Sequence, residues 1–344
     1  MDLGNAMTWR PPEGWQKITV IDSHTGGEPF RLVVDGLPSI EGDTVLERRR
    51  YAQANLDWLR KALMWEPRGH ADMYGGWMVP PERADSDLGI LFTHNEGFST
   101  MCGHGIIALA KLALETGILP FTSGETTLRI DTPAGLVVAT STHRDAIVTG
   151  TRFENVPSFA AALDATVDVP GVGELTYDLG FGGAFYAFVD ADSIGVAMDD
   201  AAGLIAAGRA IKLAIMSTSP IDHPVTPELG FLYGVIFTGD DVGDGAHSRH
   251  VCVFADGEVD RSPTGTGVSA RLALLRARGQ VELGEEVTIE SITGSRFGGT
   301  VARMTEVGGL PAVVPEVSGT AHILGRSEMW IDPDDHLGKG FLIR

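Results

Sequence analysis

Apolar positions along the chain follow two periods. Short alternating runs mark Ile18 to Asp22 and Arg31 to Val34 as strands around the turn His24-Thr25-Gly26-Gly27-Glu28-Pro29. Across Tyr51 to Trp65, Leu56, Leu59 and Leu63 recur at three and four, which predicts one surface helix with a buried face, stopped by Pro67. Leu88 to Phe92 reads as a strand leading through Asn95-Glu96-Gly97 to Cys102. There a run almost without polar interruption, Ile106 to Leu114, predicts a helix ending at Gly117. Strand-like segments follow at Leu128 to Ile130, Leu136 to Thr140 and Ile147 to Phe153. In the second half, strands at Leu175 to Asp178 and Phe185 to Val189 flank Gly180-Phe181-Gly182-Gly183. Ala201 to Ile215 is helical, Phe231 to Phe237 and His250 to Ala255 are strands, and a further helix starts at Thr264. So many short strands exclude a classical nucleotide-binding crossover and predict mixed sheet wrapped around a central helix.

The two helix starts repeat one another. Cys102-Gly-His-Gly-Ile-Ile-Ala and Thr264-Gly-Thr-Gly-Val-Ser-Ala share their glycine pattern, apolar entry and alanine, and Gly26-Gly27 is echoed by Gly182-Gly183. Echoes in the same order and at similar separation are the mark of an internal duplication with two half-sites.

A chain of 344 residues exceeds one core of typical size, so two domains are expected. Hydrophobic content of 43% and charged content of 21% are those of a globular protein. A net charge of -20 argues against nucleic acid, because phosphate binding relies on Lys and Arg to displace counterions. The polar start and the lack of an uninterrupted apolar run of bilayer length argue against a membrane and for the cytoplasm. Two cysteines, Cys102 and Cys252, cannot form a disulfide framework in a chain this long and are expected as free thiols.

Cys102 stands at a helix N-terminus, where the dipole favours thiolate, so it is placed to act as a base. Gly103 and Gly105, like Gly265 and Gly267, let the backbone approach a ligand, and unpaired first-turn N–H groups are donors for an anion. Two N-termini converging on one carboxylate would ease removal of its α-proton without any cofactor. Cys252, between apolar strand neighbours, reads as core. His247 and His250, without a third ligand at suitable spacing, read as a polar loop, and no metal is expected. The glycines after Pro263 do not form a dinucleotide fingerprint. His24, His94 and Glu96, near glycine turns, rank second as pocket residues.

Met101-Cys102-Gly103-His104-Gly105 and Asp260-Arg261-Ser262-Pro263-Thr264-Gly265-Thr266-Gly267 resemble the two signatures of the proline racemase family. Ile21 to Pro29, Asp72-Met73-Tyr74-Gly75 and His94-Asn95-Glu96-Gly97 extend the resemblance over roughly residues 17 to 344. It implies two similar α/β domains, each a curved mixed sheet around a central helix, with the site in the cleft between them. The halves are placed at 1–163 plus 326–344 and at 164–325, with the crossing near residues 160 to 166. In two-cysteine members one thiol removes the α-proton and the other reprotonates the opposite face. Here Thr264 replaces the second cysteine, and an alcohol is too weak an acid for that work. The Cys/Thr pair resembles the trans-3-hydroxy-L-proline dehydratases of the family. There Cys102 would take the α-proton and the 3-hydroxyl would leave as water, its proton coming from Cys102 or His104. The resemblance assigns the carboxylate to the N–H groups of Gly103, His104, Gly265 and Thr266, the ring nitrogen to Asp260, and a polar wall or helix cap to Thr264. The implied partner is a small imino acid, and a homodimer is compatible with this reading. A weak one-base epimerase, a non-catalytic imino-acid binding protein and an isomerase of open-chain substrates are the alternatives.

Overall fold

The computed structural model describes residues 3–121 and 124–343. Residues 1, 2, 122, 123 and 344, which the expected halves include, lie outside the described residues. A short helix α1 (Gly4–Thr8) precedes the hairpin of β1 (Gln16–Thr25) and β2 (Glu28–Asp35), whose turn is Gly26-Gly27. Both turn residues have positive φ, 62° and 93°, a conformation glycine adopts without steric cost. The single helix expected over Tyr51 to Trp65 is two helices, α2 (Val45–Asn55) and α3 (Asp57–Met64). A capping box of Thr44 and Glu47 opens α2, and the break at Leu56 (φ −122°, ψ 13°) redirects the chain. The leucine spacing runs unbroken across Leu56, so periodicity alone does not reveal the break.

From there β3 (Tyr74–Val79), β4 (Leu88–His94) and β5 (Phe98–Ser99) lead to α4 (Gly103–Glu115). A meander of β6 (Glu125–Thr132), β7 (Gly135–Arg144) and β8 (Ile147–Glu154) completes the first half. The second half runs through β9 (Phe159–Val169), β10 (Gly173–Phe181), β11 (Phe185–Asp190), α5 (Ala201–Thr218), β12 (Leu232–Gly239), β13 (Ser248–Phe254) and β14 (Glu258–Val259). Then come α6 (Gly265–Ala277), β15 (Glu286–Ser291), β16 (Arg296–Val307), β17 (Leu310–Gly319) and β18 (Ala321–Ile331).

Strand pairing shows the duplication element by element. β2 runs parallel to β3 and β11 to β12, while β4 runs parallel to β6 and β13 to β15. The antiparallel pairs β3–β4, β6–β7 and β7–β8 have counterparts in β12–β13, β15–β16 and β16–β17 in the same order. β18 pairs with β1 as β9 pairs with β10, so each half receives its first strand at the same place in its sheet. The boundaries expected at 163/164 and 325/326 fall inside β9 and β18. Neither strand carries a long apolar run: β9 alternates alanine with Asp and Thr, and its centre is largely exposed. β8 pairs with β17, joining the two halves edge to edge.

The central helices are the core. Every residue from Gly103 to Leu114 is buried in α4, and α6 is buried over most of its length. A helix apolar on all sides must be enclosed by sheet. α5 has the length and hydropathy of a membrane-crossing helix. It carries Arg209 and Lys212, however, and buries one face, including Leu204, Ile211 and Ile215, against β12 and β13. The segment around His247 to His250, expected as a loop, enters β13 at Ser248, and His250 is fully buried.

Candidate active site

The N-termini of α4 and α6 meet. A Cβ on Gly103 would lie 2.5 Å from Gly265 Cα, and one on Gly265 would lie 2.7 Å from Gly103 Cα, so only glycine lets the two starts touch. Cys102 caps α4, and its Sγ accepts from the Gly105 amide at 3.2 Å. The same sulfur is 3.2 Å from His104 Nδ1. Thr264 caps α6 differently. Its φ of 64° is unusual for a β-branched residue, and its side chain makes no cap bond to the helix. Its amide donates to Ser262 Oγ at 3.2 Å and its hydroxyl to Asp260 Oδ2 at 2.8 Å, while Asp260 Oδ1 accepts from the Ser262 amide at 2.7 Å. The Asp260–Thr264 loop thus organises itself around one carboxylate.

All seven residues expected at the site, Cys102, Gly103, His104, Asp260, Thr264, Gly265 and Thr266, line one pocket. The first-turn amides of Gly103, His104, Gly265 and Thr266 have no carbonyl of their own helix to bond, which leaves donors at the helix junction. The remaining wall is Tyr74, Met101, Tyr186, Tyr233, Cys252 and Phe254, which sequence reasoning did not assign to the site. Tyr74 packs edge-on against His104 at 4.8 Å, Tyr233 stacks on Phe254 at 5.3 Å, and the Tyr186 hydroxyl bonds Thr266 Oγ1 at 2.7 Å. Tyr74 lies in a motif that carries the family resemblance, which is the one signal that could have found it. Cys252 is buried as expected but belongs to the pocket wall, beside Thr264.

Charge is the dominant theme inside the pocket. Burial pushes the Cys102 thiol well above its ordinary value. The Gly105 amide opposes this, and Asp260 and Glu28 add to it. The expected gain from the helix N-terminus is outweighed by desolvation, so Cys102 needs a proton acceptor at hand. Burial also holds the His104 imidazole below its ordinary value, against the opposing pull of the Asp260 carboxylate and the Pro29 carbonyl. A neutral imidazole has one nitrogen without hydrogen, which can accept from Sγ. Glu28, also fully buried, is raised well above the usual carboxylate range by burial and by Asp260.

The second-rank candidates lie elsewhere. His24 stacks on His322 at 5.2 Å in a separate surface cleft. His94 is buried behind the pocket, stacked on Tyr74 at 5.7 Å and 3.5 Å from Glu258, and shares an outer cleft with Glu96. Among the described residues no group of three or more His, Cys, Asp or Glu side chains could hold a metal ion.

The sequence profile of proline racemase matches residues 20–342. A trans-3-hydroxy-L-proline dehydratase of Colwellia psychrerythraea is 46% identical over 341 residues, 98% of this chain and 96% of that protein. A 3-hydroxyproline 2-epimerase of Burkholderia multivorans is 44% identical over 331 residues, 96% of this chain and 99% of that protein. The crystal structure of a hydroxyproline epimerase from Agrobacterium vitis, with bound trans-4-hydroxy-L-proline, superposes with a TM-score of 0.90 at 32% identity, covering 95% of this chain and 96% of that one. Duplicated halves, paired glycine-rich helix starts and near full-length similarity agree: the chain belongs to the proline racemase family.

Proposed function

We propose that this chain is a trans-3-hydroxy-L-proline dehydratase, a cofactor-independent hydro-lyase. Relatives at 44% identity or above include proteins named as dehydratases and one named as an epimerase, so overall identity does not separate the two reactions. The carrying observation is the second helix cap. Thr264 stands in the pocket wall with Cys102, and its hydroxyl hydrogen is given to Asp260 Oδ2. An alcohol so engaged cannot deliver a proton to Cα, which blocks two-base inversion and leaves one-base chemistry.

In trans-3-hydroxyproline the α-hydrogen and the hydroxyl share one face, so one thiol and its neighbour serve both. His104 takes the Cys102 proton, and the thiolate removes the hydrogen at C2 of the ring. The electron pair forms the C2–C3 double bond as the C3–O bond breaks, and the His104 imidazolium protonates the departing oxygen to give water. Cys102 and His104 return to their starting protonation states. The enamine then tautomerises in solution to pyrroline-2-carboxylate. The amides of Gly103, His104, Gly265 and Thr266 hold the carboxylate, and Asp260 pairs with the ring nitrogen. Two lobes, 1–163 plus 326–344 and 164–325, close over the substrate and keep water from the carbanion. A working thiol fits the reducing cytoplasm.

The test is incubation of the purified protein with trans-3-hydroxy-L-proline in deuterated water, without added cofactor, followed by NMR, with Cys102→Ser as control. Pyrroline-2-carboxylate from the native protein alone is the expected result. Deuterium at Cα or a D-epimer without loss of water would identify an epimerase instead.

A further inference from the structure

We infer that Glu28 is a positioning residue for the reaction: with its cross-strand partner Thr25 it registers one half-site against the other and sets Asp260 at the substrate nitrogen. The inference rests on the proposed role of Asp260. Thr25 and Glu28 face each other as the last pair of the β1–β2 hairpin. Thr25 Oγ1 donates to the His104 carbonyl at 3.0 Å, inside the first motif. Glu28 Oε2 accepts from the Arg261 amide at 2.8 Å, the residue after Asp260 in the second motif. One pair of residues therefore grips both half-sites. The turn is clasped in return by the second half: Ser295 Oγ donates to the Gly26 carbonyl at 3.0 Å, and Thr293 Oγ1 lies 3.1 Å from the carbonyls of both Gly26 and Arg261. Arg261 is further tied to the first half by its 2.8 Å ion pair with Asp72.

The state of Glu28 follows from its surroundings. Its side chain is fully buried, and Oε1 has no hydrogen-bond partner among the described residues. The charged and titratable groups acting on it are Asp260, Arg261 and Asp72, and Cys102 and Cys252 feel it in turn. An ionised Glu28 would set a second negative charge beside Asp260 in a pocket that must accept a carboxylate. A protonated one still accepts from the Arg261 amide through its carbonyl oxygen, and leaves Asp260 as the anion facing the nitrogen.

Calorimetric titration with two ligands that cannot undergo elimination separates positioning from mere folding. L-Proline has the ring nitrogen, whereas (S)-tetrahydrofuran-2-carboxylate has the same ring and carboxylate with oxygen in its place. The native protein should prefer proline; equal binding of the two would overturn the Asp260 contact and the inference built on it. Glu28→Ala should lose affinity for proline by about tenfold, the scale of one hydrogen bond to a charged group, and keep its affinity for the oxygen analogue. Glu28→Gln, whose amide oxygen can still accept from Arg261, should bind proline within about twofold of the native protein. An unchanged Glu28→Ala, an equal loss on both ligands, or a Glu28→Gln as impaired as Glu28→Ala would each overturn Glu28 while leaving the Asp260 contact standing.

Discussion

At the scale of single residues, the chemistry turns on an asymmetry between two caps. Cys102 is held at φ −147° with its sulfur against His104, whereas Thr264 is held at φ 64° with its hydroxyl turned to Asp260. Replacing Cys102 by Ser should lower kcat by at least ~10^3-fold, because a hydroxyl is no base at neutral pH. That variant should still bind L-proline, which calorimetry reads directly. Thr264→Cys removes a β-branched side chain from a left-handed backbone and supplies a second thiol to the pocket. It should gain α-epimerisation of L-proline, followed by chiral separation of the product. Exchange of the α-hydrogen without inversion would count against two-face chemistry. His104 gives a pH test with a definite sign. Its imidazole is held below the ordinary 6.5 by burial, and only the neutral ring can take the Cys102 proton. The acid limb of kcat/KM should therefore lie below pH 6.5. A limb at or above that value would remove His104 as the acceptor.

At the scale of elements, what could be read from sequence was what is local. Glycine spacing, helix starts and the apolar runs of α4 and α6 each depend on a few consecutive residues, and they locate the caps Cys102 and Thr264 correctly. Most of the wall was not legible, because Tyr186, Tyr233 and Cys252 come together only through the pairing of strands far apart in the chain. Cys252 illustrates this: its apolar neighbours on β13 describe a core strand accurately and say nothing of Thr264 beside it. β9 escaped notice because alternating Ala with Asp and Thr gives little apolar signal, and the α2–α3 break because leucine spacing continues through it. The close approach of α4 and α6 yields a prediction at this scale. Gly265→Ala would push a methyl group to 2.7 Å from the Gly103 backbone, which cannot yield as a flexible side chain does. Stability should fall by about 1–3 kcal/mol in urea denaturation, and activity should fall with it as the two N-termini spread. Gly150→Ala, where nothing lies closer than 4.0 Å, is the control expected to change neither. Equal behaviour of the two variants would mean that the helix junction does not depend on glycine.

At the scale of the whole molecule, a protein of net charge -20 binds a carboxylate only because the site is built from local dipoles screened from the distant acidic surface. Building that site in a dry interior leaves its mark on stability across pH. His104 and His250 are buried with imidazoles held below 6.5, so below that pH the unfolded chain takes up protons that the folded state refuses. Stability should then decline as pH falls below 6.5, by up to about 1.4 kcal/mol per pH unit for each such histidine. Glu28 works in the opposite sense. Its folded value is raised above the ordinary 4.5, so the folded state keeps a proton that the unfolded chain has released, and stability declines as pH rises through that interval. The raised thiols of Cys102 and Cys252 extend the decline above their ordinary 9.0. Unfolding free energies from urea titrations at several pH values should trace a dome, and Glu28→Gln should flatten the decline with rising pH above 4.5. Surface repulsion among carboxylates would also weaken the fold as pH rises, but it is screened by salt, whereas the buried groups are not. The alkaline slope attributable to Glu28 should therefore persist at about 0.5 M salt in the native protein and be absent from Glu28→Gln at the same ionic strength. A slope that salt abolishes in both proteins would assign the effect to the surface and leave Glu28 ionised.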